Sequence, residues 1–101
     1  MSQKIYLGSS ATFYLEVYDE HGNKIDVDTS RLTLTLIRPD GKRYVFTSGF
    51  IKQQDLSVKI MVPIPKNAPT GKWRAIWEYV DEGDYPWKSV TTFNVLSPLR
   101  D

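Results

Sequence analysis

The stretch Pro63-Ile64-Pro65-Lys66-Asn67-Ala68-Pro69-Thr70-Gly71-Lys72-Trp73-Arg74-Ala75-Ile76-Trp77-Glu78-Tyr79-Val80 decides how this chain folds. Its prolines forbid regular structure up to Thr70, because each removes a backbone donor and fixes its own φ. Thr70-Gly71 then predicts a sharp turn, since glycine enters left-handed conformations without steric cost. Beyond it the sequence alternates. Trp73, Ala75, Trp77 and Tyr79 fall on one face of a strand, with Lys72, Arg74 and Glu78 on the other. Large aromatics sharing one face supply the biggest apolar payload in the molecule.

The flanking segments read as the wall around that face. Residues 81–84 turn the chain, and residues 85–96 return it with Phe93 and Val95 inward, until Ser97-Pro98 ends regular structure. Upstream, residues 56–62 alternate with Leu56, Val58, Ile60 and Val62 inward. A helix over 51–61 is the rival pattern, but the β-branched alternation favours a strand. Residues 31–38 give the clearest strand, with Leu32, Leu34 and Leu36 on one face. Pro39-Asp40-Gly41 is a strong hairpin signal, so residues 42–47 return antiparallel, and Ser48-Gly49 breaks them. Gly41 and Gly71 are both expected at positive φ.

Nearer the N-terminus, residues 4–7 form a short strand closed by Gly8-Ser9-Ser10. Residues 11–18 alternate with Ala11, Phe13, Leu15 and Val17 inward. Asp19-Glu20-His21-Gly22-Asn23 is a turn of small polar residues around a glycine. Residues 25–29 read as a short extended connection suited to an edge. About seven short strands, turns every ~8–12 residues and no amphipathic helix make the pattern of an all-β sandwich. Its expected core comprises Phe13, Leu15, Leu34, Leu36, Val58, Ile60, Trp73, Trp77 and Phe93.

Composition sets the class. With 101 residues, 41% of them hydrophobic and 25% charged, residues 1–101 fit one globular domain able to bury a core. The formal charge is +1, which gives no electrostatic reason to expect nucleic acid or an anionic membrane as partner. Cysteine is absent, so disulfides and thiolate metal sites are excluded. No apolar run approaches a membrane span, and the start lacks the apolar region of a secretory leader. A chain beginning at Met1 is on that basis expected to be made and to fold in the cytoplasm.

A resemblance accompanies these patterns. Tyr6-Leu7-Gly8, Phe13-x-Leu15-x-Val17-x-Asp19-x-x-Gly22, Leu34-x-Leu36-x-x-Pro39-x-Gly41, Pro69-x-Gly71-x-Trp73 and Thr92-Phe93-x-Val95 resemble immunoglobulin-like sandwich domains. The pattern is similar to the macroglobulin-type subset and to small immunoglobulin-like modules of bacteriophage virion proteins. It departs from antibody-type domains in lacking a cysteine pair and a tryptophan on the 32–36 strand. The resemblance implies a single antiparallel immunoglobulin-like sandwich and a structural, non-enzymatic role in a virion. There it would serve as a capsid decoration or auxiliary head protein, or as a tail or neck component.

The candidate sites are few. His21, the only histidine, sits in a turn with no serine or cysteine motif beside it, and a solvated turn residue accounts for it. Asp81, Glu82 and Asp84 cluster around Gly83, and Asp19 with Glu20 lies in another turn. Their spacing departs from the twelve-residue calcium loop, and a solvated hairpin tip accounts for the cluster. Tyr85, Trp87 and Trp77 raise carbohydrate binding, since exposed aromatic faces stack on sugars. Their parity instead puts them with the core, leaving Trp87 as the candidate surface aromatic.

More informative is the outward face of strands 31–38, 72–80 and 85–96. It carries Thr33, Thr35, Ile37, Arg74, Ile76, Val80, Val90 and Thr92, a surface less charged than a free face usually is. Either loops cover it or it meets a protein partner. Ile37, Arg74, Ile76, Val80, Val90 and Thr92 are therefore the candidate interface. The expected partners are protein subunits of a viral capsid or tail, a second copy of the chain among them. Nucleic acid, membrane, cofactor and metal are not expected. The rival class is a carbohydrate-binding or adhesin-like module of a larger extracellular protein.

Overall fold

The computed structural model describes residues 3–80, 83 and 86–98. These residues form β1 (Gln3–Tyr6), β2 (Ser10–Leu15), a 3-10 helix (Thr29–Arg31), β3 (Leu32–Ile37), β4 (Arg43–Phe46), β5 (Ile51–Lys52), β6 (Val58–Pro63), β7 (Gly71–Val80) and β8 (Pro86–Leu96). The fold is an all-β sandwich of two sheets. One has five strands in the order β1-β8-β7-β3-β4, the other three in the order β2-β6-β5. Eight strands thus stand where about seven are expected; the additional one is the two-residue β5.

β7 is the spine of the larger sheet. It pairs antiparallel with β8 from Gly71↔Val95 to Val80↔Pro86, and with β3 from Leu32↔Tyr79 to Ile37↔Arg74. Its alternation is realised in full, with Trp73, Ala75, Trp77 and Tyr79 all buried. Phe13, Leu15, Leu34, Leu36, Val58, Ile60 and Phe93 are buried with them. The sheets meet through rings. Phe13 on β2 packs edge-on against Phe93 on β8 at 5.2 Å, Phe93 lies 5.8 Å from Trp73, and Trp73 stacks on Tyr44 at 6.1 Å. Such ring pairs contribute about 0.5–1.5 kcal/mol each beyond area burial.

Trp73 also carries an indole N–H into a fully buried position, and it donates to the Pro69 carbonyl at 3.1 Å. The proline segment therefore supplies an acceptor as well as a crossover. Its start differs from expectation, because β6 extends through Pro63, which pairs with Ser10. The reason is local: β5 pairs with Val58 and Lys59, so among the described residues no strand lies on the other side of Pro63, and it forfeits no ladder bond.

Three further differences have physical causes. The sandwich is not wholly antiparallel, because β1 runs parallel to β8 from Gln3↔Phe93 to Tyr6↔Leu96. Gly8, at φ 83, turns the chain out of that edge and into the other sheet, so β1 and β2 never form a hairpin. Residues 25–29 are not extended throughout. The Asp28 side chain accepts from the Ser30 amide and starts the 3-10 turn, a local side-chain bond competing with strand pairing. Leu56 lies outside β6, at φ 71 in a turn.

That turn belongs to a set of three with one bonding scheme. In residues 19–23, 38–42 and 53–57 the first amide donates to the fifth carbonyl, and the fourth amide donates to the first carbonyl. The fourth residue is left-handed each time: Gly22, Gly41 and Leu56. A carboxylate braces each loop. Asp19 accepts from the amides of His21 and Asn23, Asp40 from that of Lys42, and Asp55 from that of Ser57.

Trp73→Ala is expected to destabilise the fold by ~3–5 kcal/mol, read from denaturant unfolding, as for any large buried aromatic. An unchanged midpoint would contradict its place at the centre. Gly41 and Gly71 sit at φ 90 and 122, so alanine at either should cost on the order of 1 kcal/mol or more. Gly71→Ala should be the worse, because its Cβ would also meet Pro39 Cγ at 3.4 Å, whereas Gly41 faces open space. Equal melting points for the two variants would refute that ranking. Asp28, Asp40 and Asp55 have their carboxyl pKa values lowered from 3.8, chiefly by hydrogen bonds from Ser30, Arg38 and Ser57 respectively. Their contribution is present above the unfolded value and lost as pH falls through the lower folded values. Asn at all three positions should therefore flatten the fall of the melting temperature below pH ~4.

Candidate functional site

The outer face of the larger sheet is set by register. Thr35 pairs with Val45 on β4 and Ile76 on β7, and Ile76 pairs with Val90 on β8. Val45, Thr35, Ile76 and Val90 thus form one row across four strands, spanning about 14 Å at the usual strand spacing. Val45 and Val90 are exposed, Ile76 is half-buried, and Thr35 is only 7% exposed. The rows beside it are charged. Arg43 and Arg74 flank Ile37 on one side, and Glu78 faces Lys88 across β7 and β8 on the other.

Of the six candidate interface residues, Arg74, Val80, Val90 and Thr92 are exposed and Ile76 is half-buried. Ile37 departs from the expectation of an open contact residue. It lies on the outward register but is 7% exposed, consistent with aliphatic stems of flanking arginines covering apolar neighbours. Val45 was not anticipated. Its signal lay in the Pro39-Asp40-Gly41 hairpin, which fixes the register that puts it opposite Thr35.

The remaining candidates separate cleanly. His21 is a solvent-facing turn residue, its ring nitrogen 3.9 Å from Glu20. Asp19 spends one carboxylate oxygen on two backbone amides of its own turn. Asp81, Glu82, Asp84 and Tyr85 lie outside the described residues. Among the described residues no three histidine, cysteine or carboxylate side chains gather as a metal site would need. Trp77 is buried against Phe50, with ring centroids 5.7 Å apart. Trp87 is half-buried.

Trp87 opens onto a second feature, a cleft of about 480 Å³ where the two sheets part. One wall is the inner face of β8, with Trp87, Ser89 and Thr91; the other is Tyr14 and Glu16 of the β2 segment, with Asp55 of the neighbouring turn. The carboxylates are held in place. Glu16 accepts from the Tyr18 hydroxyl at 3.0 Å and from Lys24 Nζ at 3.2 Å. Asp55 accepts from the Ser57 hydroxyl at 2.6 Å, and Lys24 Nζ lies 3.9 Å from it. The bond to Glu16 raises the pKa of both Lys24 and Tyr18, while the Ser57 bonds lower that of Asp55.

No family model matches the chain, and no curated protein matches it. Among solved structures it is similar to a candidate glycoside hydrolase from Bacteroides vulgatus, with a TM-score of 0.60 and 15% identity over 98% of this chain and 17% of that one. It also matches a family 123 glycoside hydrolase from Clostridium perfringens, with a TM-score of 0.49 and 14% identity over 100% of this chain and 23% of that one. The chain thus spans less than a quarter of either protein. At such identity the first likeness speaks for a shared β-rich fold alone.

Proposed function

We propose that this chain is a non-enzymatic, immunoglobulin-like interaction module that docks on other protein subunits through the outer face of its larger sheet. Its proposed setting is a bacteriophage virion, as a capsid decoration or auxiliary head protein, or as a tail or neck component. One observation carries the docking surface. Val45, Thr35, Ile76 and Val90 form an uncharged row in a chain that is 25% charged, and charged residues are confined to the rows beside it. Interface cores are depleted in charge while their rims stay polar. Arg43 and Arg74 on one side and Glu78 and Lys88 on the other supply such a rim. The virion setting rests on the resemblance of the turn and core motifs. The likeness to the Bacteroides protein concerns a part of that chain and leaves this reading where the motifs put it.

Aspartate at Ile76 would bury an unpaired charge if the contact forms. Ile76→Asp should abolish incorporation into particles, or self-assembly measured by light scattering, while circular dichroism stays native. Ile76 is half-buried, so the same change at the exposed Val45 and Val90 separates loss of docking from loss of fold. Normal assembly by folded Val45→Asp and Val90→Asp proteins would sink this face as the docking surface.

A further inference from the structure

The inward register of β8 reads Trp87, Ser89, Thr91, Phe93, Val95, and it changes character halfway. Phe93 and Val95 are buried, whereas Ser89 and Trp87 are half-buried and Thr91 is exposed. The change coincides with the edge of the cover. β1 pairs with β8 only from Phe93 to Leu96, and the smaller sheet has three strands against five. Hydroxyl residues at inward positions would be errors in a closed sandwich. Here they line an open, wet wall, and so the position of Ser89 and Thr91 is that of a surface built to meet something polar.

We infer that the cleft between β8 and the β2 segment is a binding site for a neutral sugar. Three features of the lining choose the class. Trp87, half-buried against the core, brings part of its apolar ring to the cleft beside hydroxyls, the pairing that a sugar needs because its ring has C–H faces and a hydroxyl rim. Glu16 and Asp55 offer carboxylate acceptors on the opposite wall, and hydrogen bonds from hydroxyls to carboxylates are the stronger kind. Glu16 and Asp55 share the one cation of Lys24, so the acceptor side keeps a net negative charge that disfavours an anionic ligand, and the Ser89 and Thr91 wall disfavours a wholly apolar one. The cleft volume of about 480 Å³ lies within the range of small-ligand sites.

The acceptors are also set in advance. Tyr18 and Lys24 fix the Glu16 carboxylate, and the Ser57 hydroxyl and amide fix that of Asp55. A ligand meeting them does not have to order these side chains, which lowers the cost of binding. This site is separate from the outer-face docking surface and stands or falls independently of it.

The tryptophans make the test direct. Trp73 is 0% exposed and Trp77, at the floor of the cleft, 3%, so the half-buried Trp87 is the indole a ligand reaches from solution, and its resolved resonance tells it from Trp77. Maltotriose, cellotriose, xylotriose and diacetylchitobiose, each taken to millimolar concentration, should include at least one that shifts the Trp87 indole resonance and its fluorescence. Sialyllactose, an anionic control, should bind less well. Trp87→Ala should weaken the binding sugar by roughly tenfold or more, as for an aromatic anchor. Ser89→Val and Glu16→Gln give the same readout through smaller changes if Trp87→Ala fails to fold. No response of Trp87 to any neutral sugar overturns the assignment. So does preferred binding of sialyllactose, or binding that survives unchanged in folded Ser89→Val and Glu16→Gln variants.

Discussion

One hydrogen bond fixes the crossover between the two sheets to the central strand: the indole N–H of Trp73 donates to the carbonyl of Pro69. A tryptophan at the centre of a sandwich brings a donor into a place without water, and leaving it unpaired would cost about 1–3 kcal/mol. The chain meets that demand from the residues just before the strand. Proline lacks a donor but keeps its carbonyl. A proline-rich crossover therefore has acceptors to spare, since each proline adds a carbonyl and no donor, and amides such as those of Ile64 and Ala68 find their own carbonyls. Gly71, at φ 122, then makes the bend that brings the Pro69 carbonyl back over the ring four residues later. The same bend seats Gly71 against Pro39 of the β3–β4 turn, where an added Cβ would touch the proline ring. Crossover, hairpin and central ring are thus parts of one local constraint.

Much of this was legible in the residues themselves. Strict alternation from Trp73 to Tyr79 leaves no freedom over which face is buried, because a one-residue slip would expose every aromatic. Gly41 and Gly71 announced their left-handed conformations by being glycine. Leu56 occupies the same conformation and gave no such signal, since only the turn scheme it shares with residues 38–42 reveals it. The asparate two residues before Lys42, and its counterpart before Ser57, were the faint trace. Ile37 shows another limit. Alternation assigns a side chain to a face, but whether that face is covered depends on neighbours that pairing alone brings together. The cleft escaped for a related reason. The parity of Trp87 was read with Phe93 and Val95, while the hydroxyls between them marked where the cover ends.

Edges are the cost of an open sandwich, and the chain blunts them with ordinary means. β4 has four residues and begins with Arg43, and β5 has two and ends with Lys52. The stretch of β8 beyond β1 begins with Pro86, which offers no amide, and continues through the charged Lys88. Such features discourage strand addition along the β8 flank of the cleft.

The parallel pairing of β1 with β8 has a consequence for the order of events in folding. Gln3 meets Phe93 across nearly the whole length of the chain. β2 waits for β6 and β3 for β7, each across a long intervening segment. Closing such long loops carries an entropic cost before any contact rewards it, and topologies of this kind fold in about milliseconds to seconds rather than microseconds. During synthesis the first strand leaves the ribosome without its partner, and the larger sheet cannot be sealed until the last strand has followed. The fold is therefore completed after translation of this segment, with the N-terminal edge among the last parts to find its place.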